Sequence, residues 1–358
     1  MSNAVAVAAP KLSPIADNII NTLDSNFLEN QELAKLPLPA GNSQDPTDHV
    51  TAREWMDKVY RPLPKTPRPI RHVRGPTSVK IHDVTVTYGP EEEFNIRVYE
   101  PQVLGHEESG LLPAVLAYHG GGWIHGYSEL DDDSYKFMAR ETQSVIFGVD
   151  YRLAPEHPFP APHNDSYEAL NYVVKNAQQY GIDTTRIAVW GASAGGNLVA
   201  GIALRDAQEH SQTRIRHANL VVPAVCPPTL APPILSVPSS SYTHFTTHSN
   251  PLMLTGAERL WEIYANGQDN LRNPYVSPLL AAPSSNHCPM HVVVAGADVL
   301  RDEGIAYALK YRNAGCDVQL ETVPGAPHGL TASTEAWVSR QFWTNQVRVL
   351  NVALHTGF

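Results

Sequence analysis

The stretch Ile187–Gly196, IAVWGASAGG, decides the fold. It begins with a short apolar run, which is typical of a strand buried on both faces of a sheet. A G-x-S-x-G pattern follows around Ser193, and a proline-free helical pattern continues over Ala194–Glu209. Glycines beside the serine allow a turn too tight for side chains, and such a turn exposes the hydroxyl above the sheet. The stretch therefore predicts strand, turn and helix with Ser193 as a nucleophile; an ordinary glycine-rich turn is the alternative.

Patterns on both sides of this stretch predict alternating strands and helices. Further buried strands are predicted at Ala114–Tyr118, Val145–Val149, Leu220–Val225, Val292–Ala295 and Asp317–Val323. Helices are predicted at Asp165–Tyr180, Glu303–Ala314 and Glu335–Leu354. An antiparallel pair is predicted from the apolar and polar alternation of Val79–Tyr88 and Phe94–Pro101. Together these elements predict a doubly wound, mainly parallel α/β sheet, in which functional residues lie at the carboxyl ends of the strands.

Three successive glycines follow the predicted strand at 114–118, in the motif HGGGW at 119–123. Glycines expose backbone amides without side chains in the way, which is what a developing oxyanion requires. We therefore predict Gly121, Gly122 and Ala194 as the oxyanion-hole donors, with Gly120 as a less favoured member of the loop. The histidine that leads the motif is interpreted as structural, and a flexible surface turn is the alternative for the whole loop.

A nucleophilic serine needs a base and an orienting carboxylate, in the chain order serine, acid, histidine on this fold. Asp298 comes directly after the strand HVVVAGA, and His328 follows the last predicted strand. Both positions are at strand ends, so we predict a triad of Ser193, Asp298 and His328. Asp302, four residues after Asp298, is the competing acid, although it could instead cap or pair with the following helix.

The composition excludes several classes of protein. A hydrophobic fraction of 42% in 358 residues is enough for a folded core, which excludes a disordered or fibrous chain. The net charge of −10 would repel nucleic acid, so none is expected as a partner. Only three cysteines occur, without C-x-x-C spacing, which predicts reduced thiols in a cytoplasmic protein. No signal peptide and no membrane span are expected.

No cofactor or metal site is predicted from the sequence. His244 and His248 have i,i+4 spacing, but no glutamate lies between them and no third ligand is apparent. Neither a P-loop nor a G-x-G-x-x-G motif opens a helix. The expected ligand is therefore a small-molecule substrate without a cofactor.

Four motifs in order, HGGGW, GASAGG, DVLRDE and PHGL, together with DYRLAPE at 150–156, make the chain resemble the hormone-sensitive-lipase-like family of α/β hydrolases. The family usually has Asp or Thr where Ala192 stands and Pro where Val299 stands. The resemblance implies an α/β-hydrolase fold over residues 76–358. It also implies a helical cap made by an N-terminal arm, residues 1–75, and by an insertion after the sixth strand at about 227–273.

The resemblance implies a serine carboxylesterase that acts on short acyl or acetyl esters through an acyl-enzyme. Two alternatives stay open: a dedicated secondary-metabolite hydrolase or cyclase with the same triad, and a non-catalytic small-molecule receptor. Relatives often form homodimers through the last strand and helix. The insertion carries apolar and aromatic residues that could line a substrate pocket or pack on their own core: Leu230, Ile234, Leu235, Tyr242, Phe245, Leu252, Met253, Trp261 and Tyr264.

Overall fold

The computed structural model describes residues 78–102, 110–235, 240–244, 254–331 and 337–356. The predicted N-terminal arm, residues 1–75, lies outside these ranges, so its role as a cap stays a prediction. Two parts of the predicted insertion, 236–239 and 245–253, also lie outside them. No helix in the described ranges is long and apolar enough to cross a membrane.

Eight strands in the described ranges form a single sheet. They are β1 (Val79–Tyr88), β2 (Glu92–Pro101), β3 (Leu112–Tyr118), β4 (Val145–Asp150), β5 (Ile182–Ala192), β6 (His217–Val221), β7 (Met290–Ala295) and β8 (Val318–Val323). Their order across the sheet is β1-β2-β4-β3-β5-β6-β7-β8. The pairs β1/β2 and β2/β4 are antiparallel and the other five are parallel. The predicted antiparallel pair and mainly parallel sheet are confirmed.

Helices connect the parallel strands and cover both faces of the sheet. They are α1 (Asp132–Thr142), α2 (Ala161–Lys175), α3 (Ala194–Glu209), α4 (Ser241–His244), α5 (Leu254–Ala265), α6 (Gln268–Leu271), α7 (Arg301–Asn313) and α8 (Trp337–His355). Apolar residues of α2, α3 and α7 share one buried cluster with the sheet, and those of α1 and α8 share the other. The helices α4, α5 and α6 lie in the insertion between β6 and β7.

Strand β3 shows why its sequence is a continuous apolar run. Leu116 and Tyr118 pack into the cluster on the α2, α3 and α7 face, whereas Val115 and Ala117 pack into the cluster on the α1 and α8 face. All four side chains are fully buried. The strand is therefore covered on both faces, and its carboxyl end leads directly into the HGGGW loop.

Several predicted element boundaries were wrong, and the strand predicted at Ile187–Trp190 spans Ile182–Ala192. The strand predicted at Leu220–Val225 ends at Val221, because Val222 has a left-handed φ of 39° and the proline after it has no amide to donate. The helix predicted at Asp165–Tyr180 spans Ala161–Lys175: it begins earlier because a proline is accommodated in its first turn, and it ends five residues before the predicted end. None of these changes moves a predicted site residue away from a strand end.

Candidate active site

Ser193 occupies the turn between β5 and α3 in a strained backbone conformation. Its φ is 56° and its ψ is −117°, outside the regions that most residues adopt. A Cβ on Gly191 would collide with the carbonyl of Gly195, and one on Gly195 would collide with the carbonyl of Tyr118. The Ser193 amide donates to the Val221 carbonyl at 2.9 Å, which ties the turn to β6. The two glycines therefore permit the close packing that holds the serine hydroxyl above the sheet.

His328 lies between Ser193 and Asp298 and contacts both. Its Nε2 is 2.9 Å from Ser193 Oγ, and its Nδ1 is 2.8 Å from Asp298 Oδ2. With the proton on Nδ1, the ring donates to the carboxylate and accepts from the serine hydroxyl. The Asp298 side chain is only 1% exposed, whereas that of His328 is 16% exposed. The three residues thus form a continuous hydrogen-bonded chain that reaches solvent near the histidine.

Asp302, the competing acid, has other partners. Its Oδ2 accepts the Ser241 amide at 2.7 Å, and its Oδ1 accepts the Arg301 guanidinium at 2.7 Å. Asp298 Oδ1, by contrast, accepts the Leu300 amide at 3.0 Å, which leaves Oδ2 directed at the histidine. The two carboxylates are therefore used differently: Asp298 faces His328, and Asp302 holds the start of helix α4.

The HGGGW loop passes beside the serine. A Cβ on Gly120 would lie 3.6 Å from Ser193 Cβ, so the loop and the turn are in close approach. Gly121 and Gly122 have φ values of 117° and 62°, which favour glycine. No described residue accepts a hydrogen bond from the amides of Gly121 or Gly122, and the Ala194 amide is an unpaired donor of the first turn of α3. This arrangement leaves backbone donors free near the serine hydroxyl.

His119 at the start of this loop is buried and has a supporting position. Its ring stacks on Tyr151 with centroids 4.2 Å apart, and its Nδ1 lies 2.7 Å from the Gly120 carbonyl oxygen. Tyr151 also donates its hydroxyl to the His119 carbonyl at 2.8 Å. Burial lowers the pKa of His119 to about 4, so the ring is neutral near pH 7. A neutral ring packed under the loop fits the structural interpretation.

The DYRLAPE segment is hydrogen-bonded to the HGGGW loop, a contact that its sequence pattern did not predict. Ala154 donates its amide to the Trp123 carbonyl at 2.9 Å. Arg152 forms an ion pair of 2.8 Å with the fully buried carboxylate of Asp165, which also accepts the Tyr88 hydroxyl. No sequence signal identified Asp165, because its partners lie on β1 and after β4, far along the chain. Its complete burial is the observation that does so.

The insertion contacts the HGGGW loop through helix α5. A Cβ on Gly122 would lie 2.7 Å from Leu260 Cδ1, so this leucine touches the glycine directly. Trp123 stacks on Tyr264 at 4.4 Å between centroids and packs on Trp261 at 4.6 Å. Leu235, Tyr242, Trp261 and Tyr264 of the predicted pocket residues are buried and Leu230 is partly buried. Whether any of them lines a substrate pocket stays a prediction.

The weaker histidine pattern of the insertion lies mostly outside what can be described. His244 ends the short helix α4, and His248 falls in the undescribed stretch 245–253. Among the described residues, no group of three or more His, Cys, Asp or Glu side chains is arranged to hold a metal ion.

Known proteins are similar to this chain in sequence and in fold. The family model described as alpha/beta hydrolase fold matches residues 115–332. The chain is 36% identical over 261 residues to carboxylesterase NlhH of Mycobacterium tuberculosis, across 70% of this chain and 75% of that protein. It is 30% identical over 249 residues to an ethyl acetate hydrolase of Pseudomonas putida, across 69% and 74%. A solved esterase of Pyrobaculum calidifontis aligns with a TM-score of 0.77 and 28% identity, across 91% of this chain and 98% of that one.

Proposed function

The chain belongs to the hormone-sensitive-lipase-like family of α/β hydrolases and is a carboxylic-ester hydrolase, and we propose that Ser193, His328 and Asp298 are its catalytic triad. The single observation that carries the proposal is the hydrogen-bonded chain from Ser193 Oγ through His328 to Asp298, with distances of 2.9 and 2.8 Å. Both distances are within the range required for proton transfer between a nucleophile and its base.

The proposed reaction follows from the positions of these atoms. His328 Nε2 removes the hydroxyl proton as Ser193 Oγ attacks the ester carbonyl, and Asp298 stabilises the imidazolium that forms. The amides of Gly121, Gly122 and Ala194 donate to the oxyanion, which develops beside the loop. His328 then protonates the leaving alcohol. In the second half, it removes a proton from water, which hydrolyses the acyl-enzyme and frees the serine.

We assign the substrate to esters with short acyl chains, acetyl esters in particular. Leu260 contacts Gly122 and therefore limits the space beside one oxyanion donor. Trp261 and Tyr264 hold this part of α5 against Trp123. The relative from Pseudomonas putida is an ethyl acetate hydrolase by name, which supports the same assignment. A homodimer and a cytoplasmic location remain predictions from the sequence.

Turnover of a series of p-nitrophenyl esters by Ser193→Ala and the unchanged protein tests the proposal. We expect kcat to fall by about 10⁴-fold or more in the variant, because the nucleophile is lost while the fold is kept. We also expect kcat/KM of the unchanged protein to be highest for acetate or butyrate and to fall for decanoate. Ser166→Ala is the matched control, since this buried serine donates only to the Pro162 carbonyl.

A fluorophosphonate probe separates the remaining alternatives. Labelling of Ser193 in the folded protein, absent from Ser193→Ala, is expected of any working serine hydrolase. Failure to label, together with no turnover of any ester, would favour the non-catalytic receptor. Labelling with slow turnover of every model ester would instead favour a hydrolase dedicated to one metabolite.

A further inference from the structure

A buried carboxyl group near the triad has no assigned role. Glu303 lies in the first turn of α7 and is fully buried. Its Oε1 accepts the amides of Val225 and Cys226 at 2.7 and 3.2 Å, and its Oε2 bonds the hydroxyl of Tyr242. Among the described residues no lysine or arginine forms an ion pair with it. A buried acid without a cation costs stability, so its retention at this position needs an explanation.

The segment that Glu303 holds is itself bonded to the nucleophile turn. Ala224 donates its amide to the Ser193 carbonyl at 3.3 Å. The buried Asn197, one turn into α3, donates its side-chain amide to the Ala224 carbonyl at 2.8 Å. Residues 224–226 therefore connect the helix that begins behind Ser193 to the helix that begins just after Asp298.

The insertion between β6 and β7 also contacts Glu303 and residues 224–226. Tyr242 is within 3.3 Å of the Cys226 carbonyl as well as bonded to Glu303. The neighbouring Ser241 donates its hydroxyl to the Val299 carbonyl at 2.7 Å, directly after the triad acid. One carboxyl group thus lies where the nucleophile side, the acid side and the insertion meet.

We propose that Glu303 is a positioning residue that fixes the Ser193 turn relative to the Asp298 loop, with Tyr242 joining the insertion to the same group. The proposal rests on the proposed function, because it assigns Glu303 to the geometry of that triad. Glu303 acts by accepting two backbone amides and does not touch the reacting atoms. Its effect is therefore on the rate of the chemical steps and not on the binding of substrate.

The protonation state of Glu303 suits this role. Burial raises its pKa to about 8, the hydrogen bonds that it accepts oppose this shift, and the charge of Asp298 adds to it. Near pH 7 the group is therefore largely neutral. The Tyr242 hydroxyl is within reach of both Oε2 and the Cys226 carbonyl, so it donates to Oε2 of the carboxylate, and when Oε2 carries the proton it accepts from Oε2–H and donates to the carbonyl. Both amides still reach Oε1. Glutamine reproduces this arrangement, with its carbonyl as the acceptor and its NH₂ as the donor.

Glu303→Ala, Glu303→Asp and Glu303→Gln test the proposal by kcat and KM on p-nitrophenyl acetate at pH 7. Alanine removes the acceptor, and aspartate is one methylene too short to reach both amides. We expect either change to lower kcat by about tenfold to a hundredfold with KM within about threefold, because small displacements of catalytic groups are costly. Glutamine is expected to restore kcat to within about threefold of the unchanged protein.

Asp206→Asn is the matched control, because Asp206 is also fully buried and lies on α3 about 20 Å from Ser193 along the helix. It accepts from Arg214 and Thr213, so its replacement should lower the melting temperature and leave kcat within about twofold. Tyr242→Phe should lower kcat in the unchanged background and add no further loss to Glu303→Ala, because both changes break the same contact.

Two results would overturn the proposal. One is a folded Glu303→Ala or Glu303→Asp that keeps the original kcat. The other is a Glu303→Gln as slow as the alanine variant, which would mean that charge matters and not the acceptor. If the alanine variant does not fold, aspartate and glutamine decide the question. A failure of the triad proposal is distinct, since it would show as an active Ser193→Ala or as no turnover by the unchanged protein.

Discussion

The turn that carries Ser193 and the insertion between β6 and β7 meet at the same site but are built differently. The turn depends on glycines that are neighbours of the serine in the sequence: Gly191 and Gly195 lack the side chains that would prevent the close packing in which Ser193 has a φ of 56°. The insertion has short helices and is held by side chains that meet partners far along the chain, such as Trp261 on Trp123. Geometry that is local in the chain can be recognised from a motif, whereas geometry made by distant contacts cannot.

Two aspartates four residues apart provide the sharpest test of this difference, since Asp298 faces His328 and Asp302 holds the insertion at Ser241. Asp298→Asn is expected to lower kcat by about 10³- to 10⁴-fold, because an amide stabilises neither the required histidine tautomer nor the imidazolium. Asp302→Asn should change kcat by less than about threefold, since its amide oxygen can still accept from Ser241. Steady-state kinetics on p-nitrophenyl acetate measures both.

Circular dichroism of both variants is the control for folding. Equal losses of kcat in two folded variants would mean that residues 298–302 act as one unit, and the distinction between the Ser193 turn and the insertion would then be lost. A large loss only in the Asp302 variant would reverse the assignment of the acid.

The sequence predicted the parallel sheet and the helices after β5 and β7, because apolar runs and helical periods are local patterns. Position after the strand was the only reason to prefer Asp298 over Asp302 as the acid. The contact of Asp302 with Ser241, which shows what the second carboxylate does, is visible only in the structure. Asp165 was not found at all, and Glu303 was recorded only as the last residue of the motif DVLRDE, with no role assigned. Their partners lie up to 78 residues away, so the sequence does not show what these carboxyl groups contact.

Two buried tryptophans extend the comparison to packing. Trp261 of the insertion packs on Trp123 of the HGGGW loop, whereas Trp343 of α8 stacks on Trp190 at 5.6 Å on the other face of the sheet. Replacing either by alanine is expected to cost about 3–5 kcal/mol of unfolding free energy. Only Trp261→Ala should also raise KM, by about threefold or more, because it frees α5 beside Gly122.

Urea unfolding and substrate saturation curves on the same preparations separate the two effects. Trp343→Ala is the control for a loss of packing that is remote from the site. Similar KM values for both variants would contradict a specific contact between the insertion and the oxyanion loop, and would leave the insertion as packing alone.

The smallest expected effect concerns the junction where the insertion returns to the main domain. His163 on α2 is buried and stacks on Tyr275 at 4.7 Å between centroids, and Tyr275 follows α6 at the end of the insertion. Neither ring nitrogen of His163 has a hydrogen-bond partner among the described residues. Burial, and secondarily the charge of Arg205, lowers its pKa to about 3, so the folded protein keeps the ring neutral.

An unfolded histidine titrates near pH 6.5, so between about pH 6.5 and 3 the unfolded chain binds one proton more than the folded protein at His163. The stability that this group supplies is complete above pH 6.5 and falls by about 1.4 kcal/mol per unit as the pH is lowered. His163→Phe keeps an aromatic ring on Tyr275 but cannot bind a proton. Between pH 7 and pH 5 its free energy of unfolding, measured with urea, should therefore fall by about 2 kcal/mol less than that of the unchanged protein. His157→Phe is the control, because His157 is exposed. The buried His119 and His217 also have lowered pKa values, so the free energy of unfolding of every variant still decreases in acid. An undiminished loss of stability in His163→Phe would show that protonation of this junction does not contribute to acid unfolding.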